Sequence, residues 1–450
     1  MKMKIIVGLV LLAVLLVPAF AGGGKEEAGK AAPAKLQELR FMIPTVAGDP
    51  AFKVLNARAE EFGKKNPMVK VVVDSQPSAQ LRTKITVEMA AGNPPSASWC
   101  ILSYSREFMK DNKIVDWKPI FADPKHKEFK EWYNEANLNF STYKDGRIMS
   151  VPHEASQDAL YYNKEIFANN GWQPPKTFDD LIVLAKKARE KGIYLMATGG
   201  KDIRFAWQAS ALLMRTTSVK KANELAMGSA LNKWSDPAYG FPQAMQKFDQ
   251  MIKAEAYPPG VNGLSVNEAD QMFARGEVAM YYEGAWKPGN FNAVGGKAFV
   301  QKIGRVDFPV MPDMPEATPG VNVGGPIVGY IIAANQTKQE IENCVQWLKV
   351  VVDPQYWKDA VKSSGAMQYL PACKLGDFDW SSFPAVNKEL YEAFQKASMH
   401  VPSMDAWAPP PVDLAIKKTA MPGLISKEFT VDKAVAEVQK AAEEYLKTAK

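Results

Sequence analysis

Long apolar runs, paired cysteines and clustered histidines are all scarce in this 450-residue chain. The longest uncharged apolar run, residues 5–17, is shorter than the roughly 20 residues that a membrane-spanning helix needs. The three cysteines, at positions 100, 344 and 373, are far apart and odd in number, so they indicate no disulfide framework. The sequence therefore gives no sign of a disulfide scaffold or of an internal membrane span.

Metal-site and catalytic motifs are also missing. The three histidines do not have the spacing of metal ligands, and His153-Glu154-Ala155-Ser156-Gln157 only resembles a zinc-protease motif, because Gln157 replaces the second histidine. No G-x-S-x-G sequence or phosphate-binding loop occurs. We therefore expect no catalytic residues, no metal and no cofactor.

The distribution of charge argues against nucleic acid as a partner. Lysine and arginine number 55 against 49 acidic residues, which gives a formal net charge of +6. No basic run concentrates that charge, so nucleic-acid binding is not expected.

The first residues have the features of an export signal. Lys2 and Lys4 precede the short apolar run, and Ala19-Phe20-Ala21 supplies the small residues that a signal peptidase reads. Gly22 stands where a lipoprotein would need cysteine. The pattern predicts a cleaved signal peptide over residues 1–21 and a periplasmic or secreted protein, with a retained membrane anchor as the alternative.

A flexible leader is expected next, because residues 22–35 are rich in glycine, alanine and charge without apolar periodicity. Regular structure should begin near Leu36. The remaining chain of about 415 residues exceeds the size of one hydrophobic core, so at least two domains are expected.

The first elements predict a parallel α/β sheet. Leu39 to Ile43 forms an apolar strand, apolar residues at helical spacing follow up to Phe62, and Val69 to Val73 forms the next strand. A strand, a helix and a strand in this order indicate a parallel pair with a helical connection.

A second informative stretch is residues 145–180. A Gly turn leads into a short apolar strand that we expect Pro152 to end, and residues 153–158, all small or polar, are expected to cross from one body to another. A strand over 159–163 follows. Thr177 and Asp180 then form a capping box, before a helix whose apolar face includes Leu181, Val183, Leu184 and Ala188.

A third stretch, residues 273–286, predicts a helix that ends at Gly276, a buried strand, and a turn at Gly284 that places Trp286 at the carboxyl end of the strand. Ligands of open α/β sheets gather at that edge.

These stretches resemble the extracellular solute-binding proteins of ABC importers, family 1, the sugar-binding group that includes maltose-binding protein. The first matching pattern is F-x-x-x-x-P-x-V-x-V at Phe62–Val71. The second lies in 145–180, where a glycine and a proline are followed by Y-N-K-x-x-F and then by P-x-T-F-D-D-L. The third lies in 273–286 and reads F-x-x-G-x-x-A-M, followed by G-x-W. It implies an α/β, two-lobed periplasmic-binding-protein type II fold, each lobe a sheet flanked by helices, with three hinge crossings.

The same resemblance implies how the lobes divide. Residues 36–154 and 325–368 would form lobe 1, and residues 155–324 and 369–450 would form lobe 2. The crossings are expected near 153–158, 323–327 and 365–371.

The function implied is non-enzymatic. The chain would be a monomer that binds a carbohydrate, with an oligosaccharide favoured, and delivers it to the transmembrane subunits of an ABC permease. The open alternatives are another solute, such as a glycerol phosphate, a polyamine or a peptide, and a secreted glycosidase with two carboxylates. The sequence does not identify the sugar, its linkage or its length, or the permease.

Candidate ligand contacts follow from what a sugar requires. Aromatic rings stack on its C–H faces, and carboxylate, amide and hydroxyl groups satisfy its hydroxyls, because an unpaired buried polar group is costly. The resemblance implies contacts at Asp49, in the loop after the first strand, and at Trp286 and Trp407. The other candidates, from expected strand ends, crossings and the helical middle of the chain, are Ser103, Tyr104, Glu154, Ser156, Gln157, Trp207, Glu283 and Gly325, the last as a hinge or a contact.

Overall fold

The computed structural model describes residues 36–44, 50–202, 204–364, 367 and 369–448. The predicted signal peptide, the predicted leader and Asp49 lie outside the described residues. Within the described ranges, no helix combines the length and the apolar character needed to cross a membrane.

Two sheets are formed by the strands of the described chain. In chain order the strands are β1 (Gln37–Ile43), β2 (Val69–Ser75), β3 (Ala97–Ile101), β4 (Val151–Gln157), β5 (Ala159–Asn163), β6 (Tyr194–Ala197), β7 (Val278–Glu283), β8 (Ile303–Val306), β9 (Val321–Ile332), β10 (Leu370–Pro371) and β11 (Met399–Val401).

Helices cover both sheets. Those before β7 are α1 (Pro50–Lys65), α2 (Ser78–Ala90), α3 (Leu102–Lys110), α4 (Trp117–Ala122), α5 (Lys127–Glu131), α6 (Glu135–Phe140), α7 (Lys164–Asn169), α8 (Phe178–Glu190), α9 (Phe205–Thr216), α10 (Val219–Met227), α11 (Phe241–Lys253) and α12 (Val266–Ala274). Those after β7 are α13 (Lys287–Gln301), α14 (Lys338–Val352), α15 (Pro354–Ser364), α16 (Ala385–Lys396), α17 (Met404–Trp407), α18 (Pro410–Ala415), α19 (Met421–Ile425) and α20 (Val431–Thr448).

The first sheet has the strand order β10-β4-β9-β3-β1-β2, and β11 pairs with the beginning of β9. Strands β1, β2 and β3 run parallel, as the strand-helix-strand pattern predicts, whereas β9 is antiparallel to β3 and β4. Helices α1 and α14 pack on this sheet, where Trp347 of α14 meets the rings of Phe41 and Phe62 edge-on with centroids 5.5 Å apart in both pairs.

The second sheet has the order β6-β7-β5-β8, with β5 antiparallel to both of its neighbours. Its core includes Trp234 and Phe241, whose ring centroids are 5.0 Å apart, and both rings are fully buried. Two sheets flanked by helices give the two-lobed α/β architecture that the sequence predicts.

The predicted helix start at α8 is confirmed. The side chain of Thr177 accepts a hydrogen bond from the backbone N–H of Asp180, and the Asp180 carboxylate accepts one from the N–H of Thr177. Leu181, Leu184 and Ala188 are buried. Val183 was wrongly placed on the buried face, because it is 49% exposed.

The expectation that a strand ends at Pro152 is wrong. Strand β4 begins at Val151 and continues through Pro152 to Gln157, so most of the expected crossing 153–158 lies inside the first sheet. The pairing with β9 shifts register between Pro152 and Glu154. A proline is tolerated at such an irregularity, because the ladder there does not need its missing N–H.

The expected third crossing at 365–371 is also wrong. Leu370 and Pro371 pair with Ala155 and Glu154 of β4, which places them in the first sheet. The segment that runs between the sheets is instead β11, since its residues pair with Val321 to Val323 at the beginning of β9. We therefore propose crossings near 157–159, 321–325 and 397–403.

Glycines permit the close contact of β4 and β9 at the crossings. Gly324 has φ +131°, and a Cβ added to it would lie 2.3 Å from the carbonyl oxygen of Ser156. Gly325 has φ +122°, and its Cβ would lie 2.7 Å from the Phe140 ring. Any larger residue at position 324 must push the backbones apart.

All three cysteines are free and buried. Burial raises the pKa of the Cys100 and Cys344 thiols to about 12 in each case. Burial likewise raises the pKa of the Cys373 thiol.

We expect Gly324→Ala to destabilise the chain by more than twice as much as Gly260→Ala. Gly260 also has a positive φ, of +76°, but a Cβ there meets nothing within 4 Å. The control therefore reports backbone strain alone, about 1–2 kcal/mol, while position 324 adds a backbone clash. Urea unfolding followed by circular dichroism measures both variants, and equal losses would contradict the close contact.

Candidate functional site

The carboxyl end of β7 brings three predicted residues to one place. Glu283 is the last residue of the strand, Gly284 turns the chain, and Trp286 caps the beginning of α13. The hydroxyl of Tyr161 donates a hydrogen bond to the carbonyl of Gly284, with an O–O distance of 2.9 Å. A Cβ at position 284 would lie 2.3 Å from the Trp286 ring, so the glycine lets this ring fold back over the turn.

Two tryptophans meet at this turn. The rings of Trp207 on α9 and Trp286 are arranged edge to face, with centroids 6.0 Å apart, and both side chains are half-buried. The guanidinium of Arg204 lies over the Trp207 ring, 4.5 Å from its centroid. We call Arg204, Trp207, Glu283 and Trp286 the Trp207–Trp286 cluster.

Glu283 lies at the base of this cluster and is fully buried. Its Oε1 atom accepts a hydrogen bond from the indole N–H of Trp286 at 3.1 Å and is 3.5 Å from Nη1 of Arg204. Its Oε2 atom is 3.1 Å from Nζ of Lys287. The carboxylate therefore has one cation on each side.

A second buried carboxylate completes the charge balance. Nζ of Lys287 is 2.6 Å from Oδ1 of Asp270 on α12, and both residues are buried. Arg204 and Lys287 supply two positive charges, and Glu283 and Asp270 supply two negative charges. We call these four side chains the base of the Trp207–Trp286 cluster, and together they carry no net charge.

The predicted contact Glu154 lies on β4 of the first lobe. The indole N–H of Trp99 donates to Oε2 of Glu154 at 3.4 Å. Burial raises the pKa of Glu154 to about 7, and the bond from Trp99 opposes this rise. A carboxyl with such a pKa is largely protonated below pH 7, so it can donate as well as accept a hydrogen bond.

The pKa of Tyr369 responds to burial and to charged groups of both lobes. Burial raises its pKa, the charge of Glu154 raises it further, and the charges of Arg82 and Arg204 lower it. Arg82 and Glu154 belong to the first lobe and Arg204 to the second, and Tyr369 is 38% exposed. Sequence reasoning missed this residue, since it assigned 365–371 to a crossing.

The remaining predicted residues lie elsewhere. Ser103 and Tyr104, half-buried, begin α3 directly after β3. Ser156 and Gln157 are buried in the pairing of β4 with β9, opposite Gly325 and Gly324 respectively. The structure thus brings Ser156, Gln157 and Gly325 together at the crossing and not at the Trp207–Trp286 cluster.

Trp407 is a core residue in this structure. It is 3% exposed, and its indole N–H donates to Oδ1 of Asn223 at 2.9 Å. Its ring packs in the second core with residues such as Met404 and Val412. The expected ring face for a ligand is therefore occupied by protein.

A large crevice lies away from the Trp207–Trp286 cluster. A cavity of about 1130 Å³ lies between residues 305–321 and the end of α16. It adjoins β8, which flanks β5 on the side opposite to β7. Its lining includes none of the predicted ligand contacts. Among the described residues, no group of three or more histidine, cysteine, aspartate or glutamate side chains is arranged to hold a metal ion.

Comparison with known proteins decides the family. The sequence profile of the bacterial extracellular solute-binding proteins matches residues 48–356, more than half of the chain. The chain belongs to the bacterial extracellular solute-binding protein family. The matched region includes the whole second sheet, strands β2, β3, β4 and β9 of the first sheet, and every member of the Trp207–Trp286 cluster.

Relatives of this solute-binding protein include transport components. It is 25% identical over 323 residues to an uncharacterised ABC transporter extracellular-binding protein of Pyrococcus horikoshii, with 69% of this chain and 70% of the relative covered. It is 27% identical over 149 residues to the diacetylchitobiose binding protein of Streptomyces coelicolor, with 32% and 30% covered. A probable sugar-binding periplasmic protein of Mesorhizobium japonicum is 26% identical over 218 residues, with 47% and 49% covered. The chain thus spans about half or less of the last two relatives.

Solved structures confirm the fold of this solute-binding protein. A chitin oligosaccharide binding protein superposes with a TM-score of 0.69 at 24% identity, covering 91% of this chain and 100% of the other. The solute receptor AcbH, described as preferring β-D-galactopyranose, superposes with a TM-score of 0.77 at 16% identity, covering 91% and 98%. At these identities the likeness concerns the fold alone.

We expect Trp407→Ala to destabilise the folded chain by about 3–5 kcal/mol, because it empties a buried site and leaves Asn223 without its donor. Trp286→Ala should cost clearly less, since that ring is partly exposed. Chemical unfolding of the two variants gives the comparison. A larger loss for Trp286→Ala would contradict the assignment of Trp407 to the core.

The raised pKa of Glu154 predicts a pH-dependent stability. The native carboxyl, with a pKa of about 7, holds its proton more tightly than the unfolded chain, whose value is near 4.5. Native stability supplied by this group is therefore fully present below pH 4.5 and is lost as the pH rises towards 7. The Glu154→Gln variant has no carboxyl that titrates at this position. Its free energy of unfolding, relative to that of the parent, should therefore rise by about 1–3 kcal/mol between pH 4.5 and 7.

Unfolding free energies of both proteins between pH 4.5 and 8 test this expectation. Glu255→Gln, which removes a surface carboxylate that is 67% exposed, is the control. A difference between Glu154→Gln and the parent that does not change with pH would show that the carboxyl is not perturbed.

Proposed function

We propose that this protein is the extracytoplasmic substrate-binding component of an ABC importer, and that it binds a neutral carbohydrate between its lobes. The observation that carries the proposal is the Trp207–Trp286 cluster, in which two half-buried rings stand beside a buried carboxylate and a guanidinium. Rings suit the C–H faces of a sugar, and the polar groups suit its hydroxyls.

The charge balance favours a neutral solute over the alternatives. A polyamine needs a carboxylate with charge to spare, but Glu283 is already placed between Arg204 and Lys287. A glycerol phosphate needs uncompensated cations, but both cations at the base are matched by carboxylates. A sugar requires neither, because hydroxyls form hydrogen bonds without adding charge.

Contacts are assigned as follows in this proposal. Trp207 and Trp286 stack on the sugar, and Arg204 donates to its hydroxyls from the second lobe. Tyr369 and Glu154 approach from the first lobe, in keeping with the electrostatic coupling between Tyr369 and Arg204. A solute held by both sets of residues would favour the closed arrangement of the lobes, since a ligand shifts a conformational equilibrium by its differential affinity.

The other predicted contacts stay predictions. Ser103 and Tyr104 line the first lobe near the start of α3, and Asp49 precedes α1. Delivery to permease subunits, a monomeric state and the absence of nucleic-acid binding belong to the same proposal. The names of the relatives from Streptomyces coelicolor and Mesorhizobium japonicum support a sugar as the solute and transport as the role.

A glycosidase is the competing function, because Glu154 and Glu283 provide two carboxyl groups. The buried ion pair argues against it, since Lys287 and the Trp286 indole both engage the carboxylate that would have to act as nucleophile or base. Incubation with the oligosaccharides named below, followed by chromatography of the products, would detect hydrolysis.

We expect at least one neutral oligosaccharide to raise the melting temperature of the chain from residue 22 onward and to change its tryptophan fluorescence. The panel should contain xylo-, chito-, malto- and raffinose-type oligosaccharides, together with glycerol 3-phosphate and spermidine. Binding to the native state stabilises it by mass action, by about 2.7 kcal/mol at a hundredfold excess over Kd. Because the ligand is neutral, the affinity should change little between 50 mM and 500 mM salt.

Trp286→Ala should abolish both responses. Trp380→Ala is the matched control, since Trp380 is also half-buried but packs on Phe378 and Tyr391 in the first lobe. A response only to glycerol 3-phosphate or spermidine, with a strong salt dependence, would overturn the sugar assignment.

A further inference from the structure

Lys287 and Asp270 lie below the Trp207–Trp286 cluster and are too deeply buried to touch a solute in this structure. Lys287 is the first residue of α13 and is 0% exposed, and Asp270 on α12 is 2% exposed. The two helices pack against each other, so the pair joins them beneath the β7 turn. Such a buried charge pair is weak evidence for stability, because desolvation offsets the attraction.

The geometry points to a positioning role. We propose that Lys287, held by Asp270, fixes the Glu283 carboxylate, and that Glu283 in turn orients the Trp286 ring and Arg204 for binding. Lys287 is thereby a positioning residue that determines affinity and the preference for a neutral solute. The proposal rests on the proposed function of the cluster, although its first test does not need a ligand.

Each step of this positioning role is supported by one interatomic distance. Nζ of Lys287 is 2.6 Å from Oδ1 of Asp270 and 3.1 Å from Oε2 of Glu283. The other oxygen of the Glu283 carboxylate accepts from the Trp286 indole at 3.1 Å. Because the two oxygens of one carboxylate are rigidly joined, fixing one of them sets the direction of the other.

Few other charged or titratable groups act on the Glu283 carboxylate. Besides Lys287, the charged or titratable groups that act on it are Arg204 at the start of α9, Tyr161 on β5 and Tyr281 on β7. Nη1 of Arg204 is farther away, at 3.5 Å, and this side chain is 27% exposed. The hydroxyl of Tyr281 is 3.4 Å from Nζ of Lys287, so it supports the lysine.

Charge neutrality links this arrangement to the solute. Without Lys287 the base would hold two carboxylates and one cation, and the resulting negative potential would favour a cationic solute. With Lys287 the base is balanced, so binding depends on hydrogen bonds and ring contacts. The same lysine thus orders the site and sets its charge preference.

The first test observes the indole N–H groups by NMR in ¹⁵N-tryptophan-labelled protein, without ligand. The signal of Trp286 is assigned by its disappearance in Trp286→Phe, and Glu283→Gln shows how that signal responds when the carboxylate is lost. We expect Lys287→Met to move or broaden the Trp286 signal while leaving the signal of the buried Trp234 in place.

Lys247→Met is the matched control. Lys247 is another buried lysine of the second lobe, paired with Asp313 at 2.7 Å and remote from the cluster in sequence and contacts. Its loss should leave the Trp286 signal unchanged. If Lys287→Met does not fold, Lys287→Met/Asp270→Asn, which leaves no unpaired carboxylate at position 270, replaces it.

The second test measures the Kd of the tightest-binding sugar of the panel in a double-mutant cycle. Lys287→Met and Glu283→Gln should each weaken binding by roughly ten- to a hundredfold, because each disturbs the hydrogen bond from the Trp286 indole to the Glu283 carboxylate. The double variant should bind no more weakly than Glu283→Gln alone, because Lys287 acts through Glu283. Spermidine binding should be stronger in Lys287→Met than in the parent.

The outcomes separate the two proposals. An unchanged Trp286 signal in a folded Lys287→Met, or additive losses in the cycle, would overturn the positioning role. If no sugar binds the parent, the proposed function fails, and the NMR comparison still decides whether Lys287 orients Glu283 and Trp286.

Discussion

The close contact of β4 with β9 is the constraint on which the two-lobed structure depends. At this contact the chain leaves the first sheet, and the carbonyl of Ser156 comes so near Gly324 that no side chain fits between them. The backbone N–H of Asp158 donates to the carbonyl of Val323 at 2.8 Å, which joins two of the crossings directly. Strand β11 adds the third crossing alongside β9. With the proposed crossings, the lobes are connected by hydrogen-bonded backbone, and a rotation of one lobe against the other would fall on a few residues.

That constraint gives the candidate site its form. Strand β5 leaves the crossing and pairs with β7, so the carboxyl end of β7 returns to the side that faces the first lobe. The Trp207–Trp286 cluster is built there. The aromatic rings are at the surface of the second lobe, and the charges that hold them are buried below. Recognition by such a site depends on shape and hydrogen bonding, because its buried charges are already paired.

Local patterns predicted much of the fold. The capping box at Thr177, the strand that ends at Glu283 and the turn at Gly284 each depend on neighbouring residues, and the structure has all three. Residues that depend on distant partners were harder to predict. Trp407 packs in the core of the second lobe, and Asn223, 184 positions away, satisfies its N–H there. Leu370 joins the first sheet by pairing with Ala155, and no feature near position 370 indicates this.

The candidate site also contains both residues that local patterns predict and residues that depend on distant partners. Glu283 and Trp286 were predicted from their place at the end of a buried strand, whereas Tyr369 was not predicted, because its segment was expected to cross between the lobes. Lys287 and Asp270 gave no signal, because a lysine at a helix start and an aspartate within a helix are ordinary surface residues in most proteins. Only the packing of α12 against α13 shows that this pair is buried.

The buried cysteines have a practical consequence. Thiol reagents attack the thiolate, and all three native thiols are inaccessible and hold their protons at neutral pH. A cysteine introduced at an exposed position on the rim of the cluster would therefore react selectively, without removal of Cys100, Cys344 or Cys373. The chain is thus suited to site-specific attachment of an environment-sensitive dye, which would turn a change in lobe arrangement into an optical signal.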